Sequence, residues 1–166
     1  GRLRQGPDRS VPGWDSAKAR TIFASMLDET DDGIGAVVAG NDAIAGSVIA
    51  VLRERGLHRI PIAGQDATIA GLRHVLSGDQ CMTVLKSPRL EAAAAAAAAL
   101  RLFRGRKAGS RTLVAETVGA RRVPATLLRP VTITRSTIAR VLRDGSVTRA
   151  RLCAGRYAAL CDRAGV

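Results

Sequence analysis

The chain has 166 residues, 46% hydrophobic and 24% charged, which excludes a disordered segment and supplies apolar mass for one ordinary domain but hardly two complete lobes. Aromatic residues make up only 2%, so the core must rest on Ala, Val, Ile and Leu. The formal charge of +12 raises a nucleic-acid or polyanion partner as an alternative, yet the arginines are scattered from Arg2 to Arg163 and not gathered in one run, so no nucleic acid is expected.

After a lead-in ending at Pro12-Gly13, Asp15 or Ser16 is placed to cap a helix reaching about Glu29, with Ile22, Phe23, Met26 and Leu27 as its apolar face. Ile34 to Ala39 is a short apolar run without alternation, the pattern of a strand covered on both faces in a parallel sheet. Asp42 to Arg55 has helical spacing ended by Gly56, Ile60 to Ala63 is the next strand, and Ala67 to Leu76 is a helix stopped by Gly78. Cys81 to Leu85 is a third strand, and Pro88 opens a helix that runs through the alanine tract to about Phe103. Beyond Gly105 the expected strands are Thr112 to Ala115 and Thr126 to Ile133, the second interrupted by Pro130 as at a sheet edge. A short helix from Thr134 to Arg143 and a helical tail from Arg151 to Cys161 follow.

The longest apolar run, Ala92 to Phe103, contains Arg101 and falls short of the roughly 20 residues that cross a bilayer. The first residues carry neither an initiator Met nor a signal-peptide stretch, so processing or truncation is expected to have removed what came before. Cys81 reads as a small buried residue. Cys153 and Cys161 lie eight apart around Gly155, where a turn would bring them into disulfide range, the alternative being two unpaired thiols.

Alternating strands and helices imply an α/β layer of the doubly wound kind, whose ligands bind beyond the carboxyl ends of the strands. Asn41-Asp42 and Gln65-Asp66 occupy such positions. An amide both donates and accepts, and a carboxylate accepts from two hydroxyls, which suits a neutral polyhydroxylated ligand. The same residues also suit helix caps, with Asp42 able to cap while Asn41 stays available, and the residues alone leave both open. No nucleophile elbow, phosphate loop or dinucleotide fingerprint is present, and His58 and His74 lack partners at metal-ligand spacing; neither enzyme chemistry, nor a cofactor, nor a metal is expected.

Asn41-Asp42, Gly64-Gln65-Asp66-Ala67, the run from Gly78-Asp79-Gln80 to Lys86, and Asp144-Gly145 through Cys161 occur in one order. That set resembles the xylose-binding family of type I periplasmic binding proteins over about Pro12 to Val166. The resemblance implies a two-lobed binding protein of a sugar ABC importer, of which this chain is the carboxy-terminal portion. It assigns sugar-hydroxyl contacts to Asn41, Asp66 and Lys86, gives Gln65 a supporting role behind Asp66, and leaves Trp14 in the core. The expected ligand is a pentose such as D-xylose, the expected partners are ABC permease subunits, and the expected location is the periplasm or the extracellular face of the membrane.

On the same ground, residues 1–13 are a lead-in, 14–86 the doubly wound second-lobe core, 87–110 a hinge and a helix belonging to the absent first lobe, and 111–166 return strands and tail. The chain departs from the family at the hinge, with Lys86-Ser87-Pro88-Arg89 where Lys-Pro and an apolar residue are common. Alternatives to sugar capture are a basic nucleic-acid or polyanion-binding protein and an inactive fragment.

Overall fold

The computed structural model describes residues 4–107, 114–116, 122–124 and 126–166. They fall into two units, one formed by Gly1–Leu85 with Thr132–Val166 and the other by Lys86–Val131. In the first unit, α1 (Ser16–Asp28) begins where the Asp15 carboxylate accepts the N–H groups of Ala17 (2.8 Å) and Lys18 (3.0 Å). Those N–H groups, Lys18's first, hold the Asp15 carboxyl below its ordinary value.

Strand β1 (Val37–Val38) pairs in parallel with β2 (Ile62–Ala63), Val37 opposite Ile62. A parallel bridge from Ala63 to Met82 continues to β3 (Thr83–Leu85), which neighbours β6 (Val131–Ile133). The ladder outlasts the strands: Ala39 N–H donates to the Ala63 carbonyl (2.9 Å), Gly64 N–H to Met82 (3.0 Å) and Asp66 N–H to Val84 (2.9 Å). Each regular strand is therefore shorter than its apolar run. Among the described residues β1 pairs with β2 alone, and Val38 is 88% exposed, which corrects the expectation of a strand covered on both faces.

Helix α2 (Asp42–Glu54) packs between α1 and α3 (Ile69–Ser77). Its apolar stripe, Ile44, Ala45, Val48, Ile49 and Leu52, is buried with Ala19, Phe23 and Leu27 of α1 and Ile62 of β2. Full burial of each large aliphatic side chain contributes about 1.5–3 kcal/mol, so this aliphatic seam replaces the aromatics that the composition lacks. Helix α3 starts at Ile69, later than the expected Ala67, because Ala67 has φ 48°, outside the helical region.

The carboxy-terminal part of this unit is more broken than its sequence pattern suggests. The expected helix from Thr134 resolves into a 3-10 turn at Arg135–Thr137 and α5 (Ala139–Asp144). The tail divides into α6 (Arg149–Leu152), a turn at Gly155–Tyr157 and α7 (Ala158–Arg163), interrupted at Gly155 with φ 60°. Cys153 and Cys161 are disulfide-bonded across this turn, their Cα atoms 5.9 Å apart. Arg73 of α3 donates to the carbonyls of Arg151 (2.8 Å) and Leu152 (3.2 Å) and lies 4.6 Å from the centre of the Tyr157 ring, tying α3 to the tail. Cys81 is exposed, not buried: it stands at the entrance to β3, where its thiol donates to the Ile62 carbonyl (3.0 Å).

In the second unit, α4 (Pro88–Phe103) is capped by Ser87, and none of its residues is buried. Strands β4 (Val114–Glu116) and β5 (Arg122–Pro124) form an antiparallel pair with Ala115 opposite Val123. The expected strand at Thr112 to Ala115 overlaps β4 in part, residues 112 and 113 lying outside the described ones, and β5 was not anticipated. Residues 126–130 are irregular, because Pro130 has no N–H to donate to a ladder.

Two outcomes follow. A disulfide over this short separation contributes about 2–3 kcal/mol, so Cys153→Ala should lower the urea midpoint at unchanged slope; an unaltered midpoint would show that the bond adds nothing. Part-buried His74 is held below its ordinary value of 6.5 by desolvation, with the Asp79 carboxylate pulling the other way. Because the unfolded chain then takes up the proton first, the stability that neutral His74 contributes is intact above about pH 6.5 and lost as pH falls through its folded value. The melting temperature should drop from pH 7.5 to pH 5, and His74→Asn should flatten that drop.

Candidate functional site

The carboxyl ends of β1 and β2 lie side by side, because the Asp42 N–H donates to the Gln65 carbonyl (2.9 Å). Two expected site residues, Asn41 and Asp66, are thereby set on adjacent loops. Asn41 caps α2, its Oδ1 accepting the Ile44 N–H (2.9 Å). This decides what the residues alone left open: an N-cap must have extended backbone, and Asn41 has it, with φ −154° and ψ 177°, so Asn41 and not Asp42 is the cap.

Asp42, in the first turn of α2, is 1% exposed. Its Oδ2 accepts both the N–H of Thr68 (2.8 Å) and its hydroxyl (3.1 Å), and its Oδ1 accepts from Gln80 Nε2 (2.9 Å). A buried carboxylate is tolerable only when so satisfied. Two glycines make the approach possible: a Cβ at Gly71 would lie 2.1 Å from Asp42 Oδ2, and one at Gly64 would lie 2.5 Å from Oδ1. Gln80, also 1% exposed, gives its second N–H to the Met82 carbonyl (2.9 Å), leaving Oε1 without a partner.

Asp66 is exposed and does not cap α3. That role falls to Thr68, whose hydroxyl accepts the Gly71 N–H (3.0 Å). Asp66 has φ 96° and Ala67 φ 48°, so two successive non-glycine residues occupy the sparsely populated left-handed side of the backbone map. The turn is held from below, where Ala67 N–H donates to the buried Thr83 hydroxyl (3.1 Å). Gln65 takes part through its backbone carbonyl, the group that receives the Asp42 N–H. Lys86 is exposed, follows β3 directly and is the first residue of the second unit.

Trp14, expected in the core, is 62% exposed. It sits in a turn before the Asp15 cap with φ 56°, outside the apolar period of α1, so the helix does not carry it inward. Its six-membered ring lies against Gly40, where a Cβ would come within 2.9 Å of the ring. An exposed indole therefore stands beside the residue preceding Asn41. The signal available in the sequence was Trp14's position ahead of the cap. Asp42 and Gln80 offered only a fainter one, the glycines at 64 and 71. Among the described residues no group of three His, Cys, Asp or Glu is arranged to hold a metal ion.

The Periplasmic binding protein domain family matches residues 5–107. The chain is 36% identical over 147 residues to the D-xylose-binding periplasmic protein of Escherichia coli (strain K12), covering 87% of this chain and 44% of that protein. It is 34% identical over 151 residues to the protein of the same name from Haemophilus influenzae, covering 90% of this chain and 45% of the relative. The chain thus spans less than half the length of these curated relatives. Among solved structures, a carbohydrate transporter solute binding protein from Chloroflexus aurantiacus in complex with D-glucose superposes with TM-score 0.75 at 24% identity, over 83% of this chain and 42% of that one. An ABC transporter solute binding protein from Clostridium phytofermentans with bound β-D-glucose gives TM-score 0.73, also at 24% identity, over 84% of this chain and 45% of that one. With the family matched over more than half of its residues and the fold shared, the chain belongs to the periplasmic binding protein domain family, whose members are binding proteins and not enzymes.

Proposed function

We propose that this chain is the carboxy-terminal portion of the sugar-binding component of an ABC importer, contributing one wall of a site for a pentose such as D-xylose. The observation that carries the reading is the side-by-side placement of Asn41 and Asp66 at the carboxyl ends of β1 and β2, on loops joined by the Asp42 N–H to the Gln65 carbonyl. In this reading Asn41 keeps Oδ1 on its helix and turns its amide N–H groups to a sugar oxygen, while Asp66 accepts from sugar hydroxyls. Lys86 donates to a further hydroxyl, and Gln65 supports the Asp66 loop. Trp14 offers a flat apolar face to the C–H side of the pyranose, the amphipathic use for which indoles are suited.

The relatives named for D-xylose binding support the choice of ligand, and the two glucose-bound neighbours support monosaccharides in general. The complete receptor would close two lobes on the sugar and deliver it to permease subunits. Its second lobe would carry the doubly wound sheet in 14–86 and 111–166, and 87–110 would serve as hinge and first-lobe helix. The periplasmic relatives and the disulfide both support an oxidising location outside the cytoplasm.

Trp14 is the chain's single tryptophan, so its emission reports the site. Titration with D-xylose, alongside D-glucose, should shift or quench that emission saturably. Loss of a charged acceptor corresponds to about 1.5–3 kcal/mol, so Asp66→Asn should weaken xylose binding by roughly 10- to 150-fold. Absence of any sugar response, in emission and in calorimetry, from both this chain and a version extended to the full length of its relatives would overturn the reading.

A further inference from the structure

Resting on the sugar-site reading, we infer that Asp42 is a positioning residue: its buried carboxylate clamps the turn Asp66–Thr68 in the conformation that presents Asp66, and so links the two loops of the site. Three donors converge on it, the backbone N–H and hydroxyl of Thr68 on one oxygen and the Gln80 amide on the other. The turn it holds carries positive φ at both Asp66 and Ala67, a conformation that two non-glycine residues keep only when their surroundings over-determine it. Ala67 is fixed below by Thr83 and Thr68 above by Asp42, and Asp66 lies between them.

The Asp42 N–H reaches the Gln65 carbonyl from the same residue, and Asn41 is its chain neighbour. One residue, through its backbone N–H and its carboxylate together, therefore sets the position of Asp66 relative to Asn41. The clearance at Gly71 and Gly64 is shaped to this carboxylate, since a Cβ at either would overlap it. Gln80 is held by two donated bonds even though its own Oε1 goes without a partner.

The clamp is tested by amide hydrogen exchange and 15N-resolved titration of the intact chain. Asparagine at 42 offers one oxygen and one NH2 group, so either it faces a donor with a donor at Thr68 or Gln80, or the Gln80 amide turns to meet it and gives up its bond to the Met82 carbonyl. Asp42→Asn should speed exchange at Ala67 and Thr68 at least tenfold while Val48 and Leu52 in α2 keep their protection. Gly71→Ala should do the same by displacing the carboxylate, although alanine is the better helix former; it serves as the second variant if Asp42→Asn does not fold. Thr68→Ser, which keeps both donors, should behave as the parent chain. In the titration, D-xylose should perturb the Asn41 and Asp66 amides of the parent chain, with at least tenfold weaker binding in Asp42→Asn and Gly71→Ala.

Unchanged exchange at Ala67 and Thr68, or a uniform rise over the whole chain, would overturn the clamp. If neither the parent chain nor a version extended to the full length of its relatives responds to xylose while the local exchange behaves as expected, the sugar reading falls and the clamp stands.

Discussion

The buried carboxylate of Asp42 is the point at which the amino terminus of α2, the loop after β2, the amino terminus of α3 and the entrance to β3 are held together. An ionisable group can be enclosed in this way only if its oxygens are filled, because an unsatisfied buried acceptor costs about 1–3 kcal/mol and a charged one more. Thr68 and Gln80 fill them, and glycine at 64 and 71 leaves the volume. The apolar seam between α1 and α2 supplies a large share of the apolar burial in this unit, but it does not determine where the loops point. That is settled by polar contacts at the ends of the strands.

Much of the fold was legible in the sequence because periodicity and punctuation agree with one another there. Asp15, Gly56 and Gly78 bound their helices as the capping rules require, and the strand runs fall at the expected places. What periodicity cannot register is how far a ladder stays regular, so β1 shrinks to Val37–Val38 although hydrogen bonds continue to Ala39 and Asp66. Nor can it register β5, whose residues include Pro124, or the subdivision of the tail by Gly155.

The candidate site was legible at Asn41 and Asp66 as residue types in loops after strands, and less so in their roles. The sequence allows either Asn41 or Asp42 to cap, and only backbone geometry separates them. Trp14 was assigned to the core because the resemblance has Pro12-Gly13-Trp14 leading into a helix, yet a residue ahead of an N-cap is not committed to the apolar stripe of the helix that follows. Cys81 was assigned inward for its apolar neighbourhood in the sequence, but its place at a strand entrance leaves it exposed. Large or apolar residue type predicts burial only when the position falls within a regular period.

The first unit is discontinuous along the chain: it comprises the stretch up to Leu85 and resumes at Thr132, with β6 neighbouring β3 across that interval. During synthesis from the amino terminus, α1 to β3 emerge well before the strand that neighbours β3, and before α6 and α7, which pack on α3. Closing so long a loop carries an entropic cost that local contacts cannot offset early. The nascent unit would therefore hold the β6 side of β3 unpaired until Val131–Ile133 has been made. A unit built this way cannot finish its sheet strand by strand in the order of synthesis, and commits to its folded state only after the intervening segment has been made.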